Sequence, residues 1–255
     1  MTDPDRVLPL LWRHRNPPAP ARTGRPPRLT VDEVVTAGIA IADAEGLEAT
    51  SMARVAARLD VGTMTLYTYV PSRSELVELM VDAVLGGREL PGPDDERPPD
   101  WRDRIHLYAD RTRAMYRAHP WLSRVSTIRP PLGPGTFRER EYILSAVKDA
   151  GLPLERVNEA AVAIGMFVTA AARQEGENVL LHRATGQTND AWWHARDRFW
   201  ADWFDVEQHP TMTRVWHADG FGGGTEEQAE AAFAYGLRLM LDGIAADRPR
   251  RGRKD

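Results

Sequence analysis

Apolar residues recur at helical spacing along most of the chain, and no stretch reads as a strand. Val31, Val34, Val35, Ile39 and Ala42 form a first stripe, entered through a capping box of Thr30 and Glu33 and closed by Gly46. Met52, Val55, Ala56 and Leu59 form a second over residues 51–59, capped by Thr50 or Ser51. Asp60, Val61 and Gly62 leave room only for a turn, with Gly62 supplying the freedom in backbone angles. Residues 63–69 form a third short helix that gives Leu66 and Val70 to the core and stops at Pro71. A box of Ser72 and Glu75 opens a fourth over residues 74–85, with Leu76, Leu79, Met80, Ala83 and Val84 inward and Gly86 and Gly87 at its end.

Residues 88–99, RELPGPDDERPP, break the pattern and mark a domain boundary. Asp100 then caps a helix to about residue 118 with Trp101, Ile105, Tyr108 and Met115 on its buried side. Pro120 starts a short helix, RPPLGPG at 129–135 reads as a loop, and Thr136 with Glu139 caps a helix to about residue 150. Two later helices, 153–177 and 225–246, are rich in small residues and sparse in charge. Small residues let helices approach closely, so Ala161, Gly165, Ala172, Ala232 and Gly236 are expected to line a subunit seam. Between them, residues 192–204 read as one helix with Trp192, Phe199 and Trp203 on one face and Trp193, Trp200 and Phe204 on the next. That is more aromatic area than one stripe needs, so it is either core or the wall of a pocket for a flat apolar ligand. The expected fold is all-α with nine or ten helices. It comprises a disordered arm (1–29), a three-helix helix-turn-helix domain (30–88), a larger helical bundle (100–246) and a basic disordered tail (247–255).

Composition narrows the function. The 255 residues include no Cys, which excludes disulfides and thiolate metal sites. No run of about 18 apolar residues exists and the N-terminus lacks a signal-peptide layout, so the expectation is a cytoplasmic chain with no membrane span. A formal net charge of −4 looks wrong for a nucleic-acid binder. Its distribution changes that. Residues 1–73 hold nine Arg against eight Asp and Glu, and residues 13–30 hold five Arg and no acid. Arg22, Arg25 and Arg28 lie in RTGRPPR, an extended stretch thin enough for a minor groove; the alternative is a loose tail that only raises general attraction. The seven His show no metal-ligand spacing, and GFGGG at 220–224 lacks the Lys of a phosphate loop. No catalytic residue, metal or cofactor is expected.

Two short helices joined by a tight turn, with small polar and aromatic groups outside, make either a DNA reader or a plain helical hairpin. The run SMARVAARLDVGTMTLYTYVPSRSELVELMVDAVL resembles the DNA-binding domain of the TetR family of transcriptional regulators. The likeness rests on the alanine-rich helix, Val61 in the turn, Thr65-Leu66-Tyr67, Tyr69 and the SRSEL entry to the next helix; it departs at Asp60, where the family usually has Gly. Residues 100–246 resemble the family's effector-binding half through HPWL at 119–122, RPPLGPG, Trp192-Trp193, His209-Pro210 and GLRLMLDG at 236–243. The resemblance implies a homodimeric repressor on a palindromic double-stranded operator, released by a small, aromatic or hydrophobic molecule such as an antibiotic or metabolite. Candidate DNA contacts are Thr63, Met64 and Thr65 toward the bases, Tyr67, Thr68, Tyr69 and Arg73 toward phosphate, and Ser51 and Met52 at the start of the preceding helix, beside the arm's three Arg. Candidate effector contacts are Tyr108, Met115, Trp121, Phe167, Trp192 and Phe199. The alternatives are a regulator that needs no ligand, and an all-helical enzyme.

Overall fold

A computed structural model describes residues 2–15 and 29–247. The described chain is all helical, in twelve α-helices and two short 3₁₀ turns, more than the nine or ten expected. Part of the excess is α1 (Pro4–Leu11), which corrects the reading of residues 1–29 as a structureless arm. Asp3 caps it by accepting the Asp5 N–H, Pro4 suits its first turn, and Val7 and Leu11 are buried. Val7 and Leu11 lie one turn apart on its buried face, and Pro9 between them masks that spacing in the sequence.

The remaining helices follow in order. They are α2 (Val31–Glu45), α3 (Met52–Arg58), α4 (Thr63–Tyr69), α5 (Arg73–Gly86), α6 (Trp101–Ala118), α7 (Pro134–Lys148), α8 (Leu154–Thr185), α9 (Asn189–His194), α10 (Arg198–Asp202), α11 (Pro210–His217) and α12 (Thr225–Ala246). Thr30 and Glu33 form the expected box, with Thr30 Oγ1 accepting from Glu33 N at 3.2 Å and Glu33 accepting from Thr30 N at 2.7 Å. Ser51, not Thr50, caps α3. In the turn after α3 the left-handed residue is Asp60, at φ 53°, while Gly62 is at φ −69°. Aspartate tolerates that region better than most side chains, which explains how a position suited to Gly is filled here.

The described residues divide into two compact units, one running to Glu177 and the other Asn178–Asp247. In the first, α1 to α5 share one apolar core with Met115, Tyr116, Trp121, Leu122 and Ala172. The segment 88–99 is anchored inside this unit: Arg88 and Leu90 are buried, and Arg97 donates to Gly92 O and Ser145 Oγ.

Two buried or half-buried carboxylates fasten the early helices to the later ones. Asp43 of α2 accepts from Trp121 Nε1 at 2.7 Å and bonds His119 Nδ1 at 2.8 Å. Asp82 of α5 accepts from the Gly135 and Thr136 amides at 3.2 and 3.0 Å, so it caps α7 from a neighbouring helix. This replaces the expected cap by Thr136; α7 begins two residues earlier, at Pro134. Burial pushes the Asp82 carboxyl above its ordinary range, and the Thr136 and Gly135 amides offset only part of that. Gly135 makes the close approach feasible, because a Cβ there would overlap the Asp82 carbonyl oxygen and stand 2.8 Å from Gly86 N. The helix α1 adds a third fastening: Trp12 Nε1 donates to Leu132 O at 2.8 Å, and Arg13 bonds Asp32 of α2.

In the second unit, the single helix expected over residues 192–204 is two, α9 and α10, joined by a turn. A straight helix would set residues 193 and 200 about 10.5 Å apart along its axis. The turn instead stacks Trp193 on Trp200 at 6.2 Å, and Trp200 packs on Trp216 at 5.7 Å. The helix α8 continues past residue 177 and ends at Gly186, whose φ is 68°. Asp190 accepts from Thr225 N at 2.8 Å and so anchors the start of α12.

Substituting Gly135 by Ala is expected to lower stability by about 1–3 kcal/mol, since α5 and α7 must separate. Gly165→Ala meets only an ordinary contact, 3.8 Å from Tyr108 Oη, and should be neutral or slightly stabilising. Thermal unfolding followed by circular dichroism compares the two; equal melting points would contradict the close packing at residue 135.

Candidate functional site

The candidate reading face is α4. Leu66 is its buried anchor, and Val70 behind it is also buried. The opposite side is open: Met64 is 78% exposed, Tyr67 is 41% exposed, and Thr65 and Thr68 are exposed. Thr63 and Tyr69 are half-buried at the two ends. Thr68 Oγ1 donates to Thr65 O at 2.6 Å, so its methyl and oxygen lone pairs are what it offers outward. The outer face holds no acidic group between Thr63 and Tyr69 and offers hydroxyls, a thioether and a phenol.

Three of the expected contacts are placed differently. Met52 is buried in the core and cannot touch a duplex. Ser51 spends its hydroxyl on the α3 cap, accepting from Arg54 N. Arg73 is half-buried, and its guanidinium donates to Thr50 O and Leu47 O, both at 2.7 Å. It therefore fastens the turn before α3 to the start of α5. Its place at a helix start made it look like a phosphate ligand; the two carbonyls it serves are distant in sequence. Arg58, in the last turn of α3, is exposed and was not singled out by the sequence reading. Arg22, Arg25 and Arg28 lie outside the described residues.

The second candidate site is a cavity of about 660 Å³ wholly within the first unit. That volume is in the range of small-molecule sites. Helix α5 gives it Val81 and Leu85, α6 gives Tyr108 and Met115, α7 gives Phe137 and Ile143, and α8 gives Gly165, Met166 and Arg173. The loop 125–132 closes one side.

A polar cluster sits in this apolar wall. Glu139 accepts from Tyr108 Oη at 2.8 Å and pairs with Arg88 Nη2 at 2.7 Å, and Arg88 Nη1 donates to Thr112 Oγ1 at 2.9 Å. Burial, reinforced by the Glu139 charge, pushes the Tyr108 phenol well above its ordinary range, so it stays a donor. In the sequence Arg88 stands at the edge of a Pro-rich break and Glu139 completes a capping pattern with Thr136. No local pattern marks either, because their partners are 24 to 51 residues away.

Of the six expected effector contacts, Tyr108 and Met115 line the cavity and the others do not. Trp121 is buried and committed to Asp43. Phe167 is half-buried on α8, outside the lining. Trp192 and Phe199 belong to the second unit, where they are 41% and 45% exposed. The expected seam is also corrected in part. Ala161 and Ala172 are buried within the chain, so these two cannot meet a partner, and half-buried Gly165 lines the cavity beside Tyr108. Periodicity placed them on one face and could not say which side that face covers. On α12, Ala232 is exposed and Gly236 half-buried, next to exposed Tyr235 and Leu239.

The comparisons with known proteins fit this arrangement. Residues 34–80 match the model of the bacterial regulatory proteins of the tetR family, and residues 92–248 match that of the tetracyclin repressor-like C-terminal domain. Among curated relatives, the HTH-type transcriptional repressor DrrR1 of Streptomyces coeruleorubidus is 38% identical over 239 residues, covering 94% of this chain and 84% of its own length. An HTH-type transcriptional regulator of Saccharopolyspora erythraea is 29% identical, covering 86% of both chains. Among solved structures, the TetR family protein ActR of Streptomyces coelicolor in complex with actinorhodin has a TM-score of 0.71 at 27% identity, covering 87% of this chain and 98% of that one. With a family model spanning more than half its length and a repressor of 38% identity beside it, the chain belongs to the TetR family of transcriptional regulators.

Proposed function

We propose that the chain is a ligand-responsive transcriptional repressor. It binds a palindromic operator as a homodimer through α4 and releases it when a small aromatic molecule fills the cavity. The observation that carries this reading is the sharing of one compact unit by an outward polar helix face and a half-open, mainly apolar cavity. The relative named as a repressor and the neighbour solved with actinorhodin support it.

Reading by α4 is weak in direct contacts. Thr63, Met64 and Thr65 offer hydroxyls and apolar groups suited to a thymine methyl, without an Arg or Asn for a bidentate pair. Tyr67, Thr68 and Tyr69 suit phosphate and register. The arm, with Arg22, Arg25 and Arg28, supplies minor-groove attraction beside them. Exposed Ala232, Tyr235 and Leu239 give α12 an apolar face for the dimer.

Coupling runs through α5. Val81 and Leu85 line the cavity, and Asp82 between them caps α7, whose Phe137 and Ile143 line the same cavity. A ligand that parts α5 from α7 strains that cap and shifts α5, whose first residue holds the turn before α3 through Arg73. A ligand must prefer the released state by roughly 5.5 kcal/mol to move the balance from 99:1 to 1:99.

Fluorescence anisotropy with the DNA upstream of the protein's own reading frame tests the reading. Log affinity is expected to fall with log salt at about −0.9 per neutralised phosphate, over several phosphates. Thr65→Ala with Met64→Ala should abolish preference for that DNA over random duplex, and a preference unchanged by the pair would contradict reading by α4. Asp82→Ala should cost about 1–2 kcal/mol of stability and raise the ligand concentration that releases DNA while leaving DNA affinity nearly unchanged. An unaltered release curve would remove α5 from the coupling path.

A further inference from the structure

The cavity has a charge that its apolar walls conceal. Arg88 and Glu139 neutralise each other. Two other arginines line the same space, and neither has a carboxylate partner among the described residues. Arg140 bonds the neutral amide of Asn158 and is exposed, so solvent screens it. Arg173 is different. It is half-buried on α8, and it donates to Val125 O at 2.8 Å and Ser123 O at 2.5 Å, with the Tyr116 phenol as a further neutral neighbour.

A guanidinium carries five N–H donors in a fixed fork, so two carbonyl bonds position Arg173 and leave donor capacity unspent. Carbonyl dipoles satisfy hydrogen bonds without cancelling the charge. One of those carbonyls, Val125 O, belongs to the loop that walls the cavity, and Ser123 O lies in the 3₁₀ turn just before it, so the cation is held beside the lining by the wall and its root. A cationic ligand would meet this arginine and would find Glu139, the one acidic group of the lining among the described residues, already bonded twice.

We propose that the cavity selects polycyclic aromatic ligands bearing an acidic oxygen group, a carboxylate or an ionised phenol, and that Arg173 is the residue that reads it. This rests on the reading of the cavity as the ligand site. The aromatic body fills the space between Phe137, Ile143 and Met166, and the acidic group takes the free donors of Arg173. A charge-assisted bond of this kind in a partly desolvated site separates an acid from its neutral amide by about tenfold in affinity.

Isothermal titration with three probes on the full chain tests it: anthraquinone-2-carboxylate, anthraquinone-2-carboxamide and 2-(aminomethyl)anthraquinone. The carboxylate is expected to bind about tenfold tighter than the amide, and the amine weakest. Arg173→Gln should remove the preference while keeping amide binding, and Arg173→Lys should restore part of it. If Arg173→Gln fails to fold, the wild-type order and the Lys variant still decide. Equal binding of carboxylate and amide by the wild type, or tighter binding of the amine, would overturn the charge reading and leave the cavity as a ligand site. Binding by none of the three, with parent anthraquinone also inert, would overturn both.

Discussion

One buried carboxylate ties the two halves of this regulator's working unit together. Asp82 projects from the helix that ends the reading domain and satisfies the two free amides at the start of α7. The arrangement is demanding. A charge at this depth is disfavoured, and the Thr136 and Gly135 amides, the Thr136 side chain and the charge of Arg13 compensate it in part. Gly133 and Gly135 leave the room it needs, since a Cβ at either position would collide with Asp82. The cap joins two helices that also wall the cavity, which is why the proposed release by a ligand is routed through this joint.

Asp43 and α1 work on the same principle from other sides. Asp43 holds Trp121 and His119, and Trp12 holds the loop carbonyl of Leu132 while Arg13 holds Asp32. Each fastening uses a polar group at the edge of an apolar core that runs without a break from α1 to Ala172. Burial supplies the adhesion, and the directional bonds set the angle between the parts. That division suits a switch, in which packing keeps the unit whole while a few bonds define which of two arrangements it holds.

The local rules of helix formation were well displayed in the sequence. The boundaries of α4, the box at Thr30 and Glu33 and the cap at Asp100 follow from spacing and end residues alone. What spacing cannot carry is the far partner. Arg73, Met52 and Trp121 have side chains that suit DNA or a ligand, and each is instead consumed by a group elsewhere in the chain. The small residues of α8 are expected from spacing to meet a partner subunit, yet Ala161 and Ala172 are buried by the chain itself. The turn at Asp60 shows the reverse case: the unusual residue was visible, and the positive φ that it supports supplies the reason. Asp82 did leave a trace, a lone carboxylate among Leu79, Met80 and Val84 in the second half of α5.

The account stands on α5 and α7 moving as one body in the ligand-free protein. Native-state hydrogen exchange at single-residue resolution measures this at the Gly135 and Thr136 amides. They should be protected to nearly the same extent as the core of α5, and Asp82→Ala should release them selectively. Exchange at the rate of an open loop in the wild-type protein would contradict the joint, and with it the path from cavity to reading face.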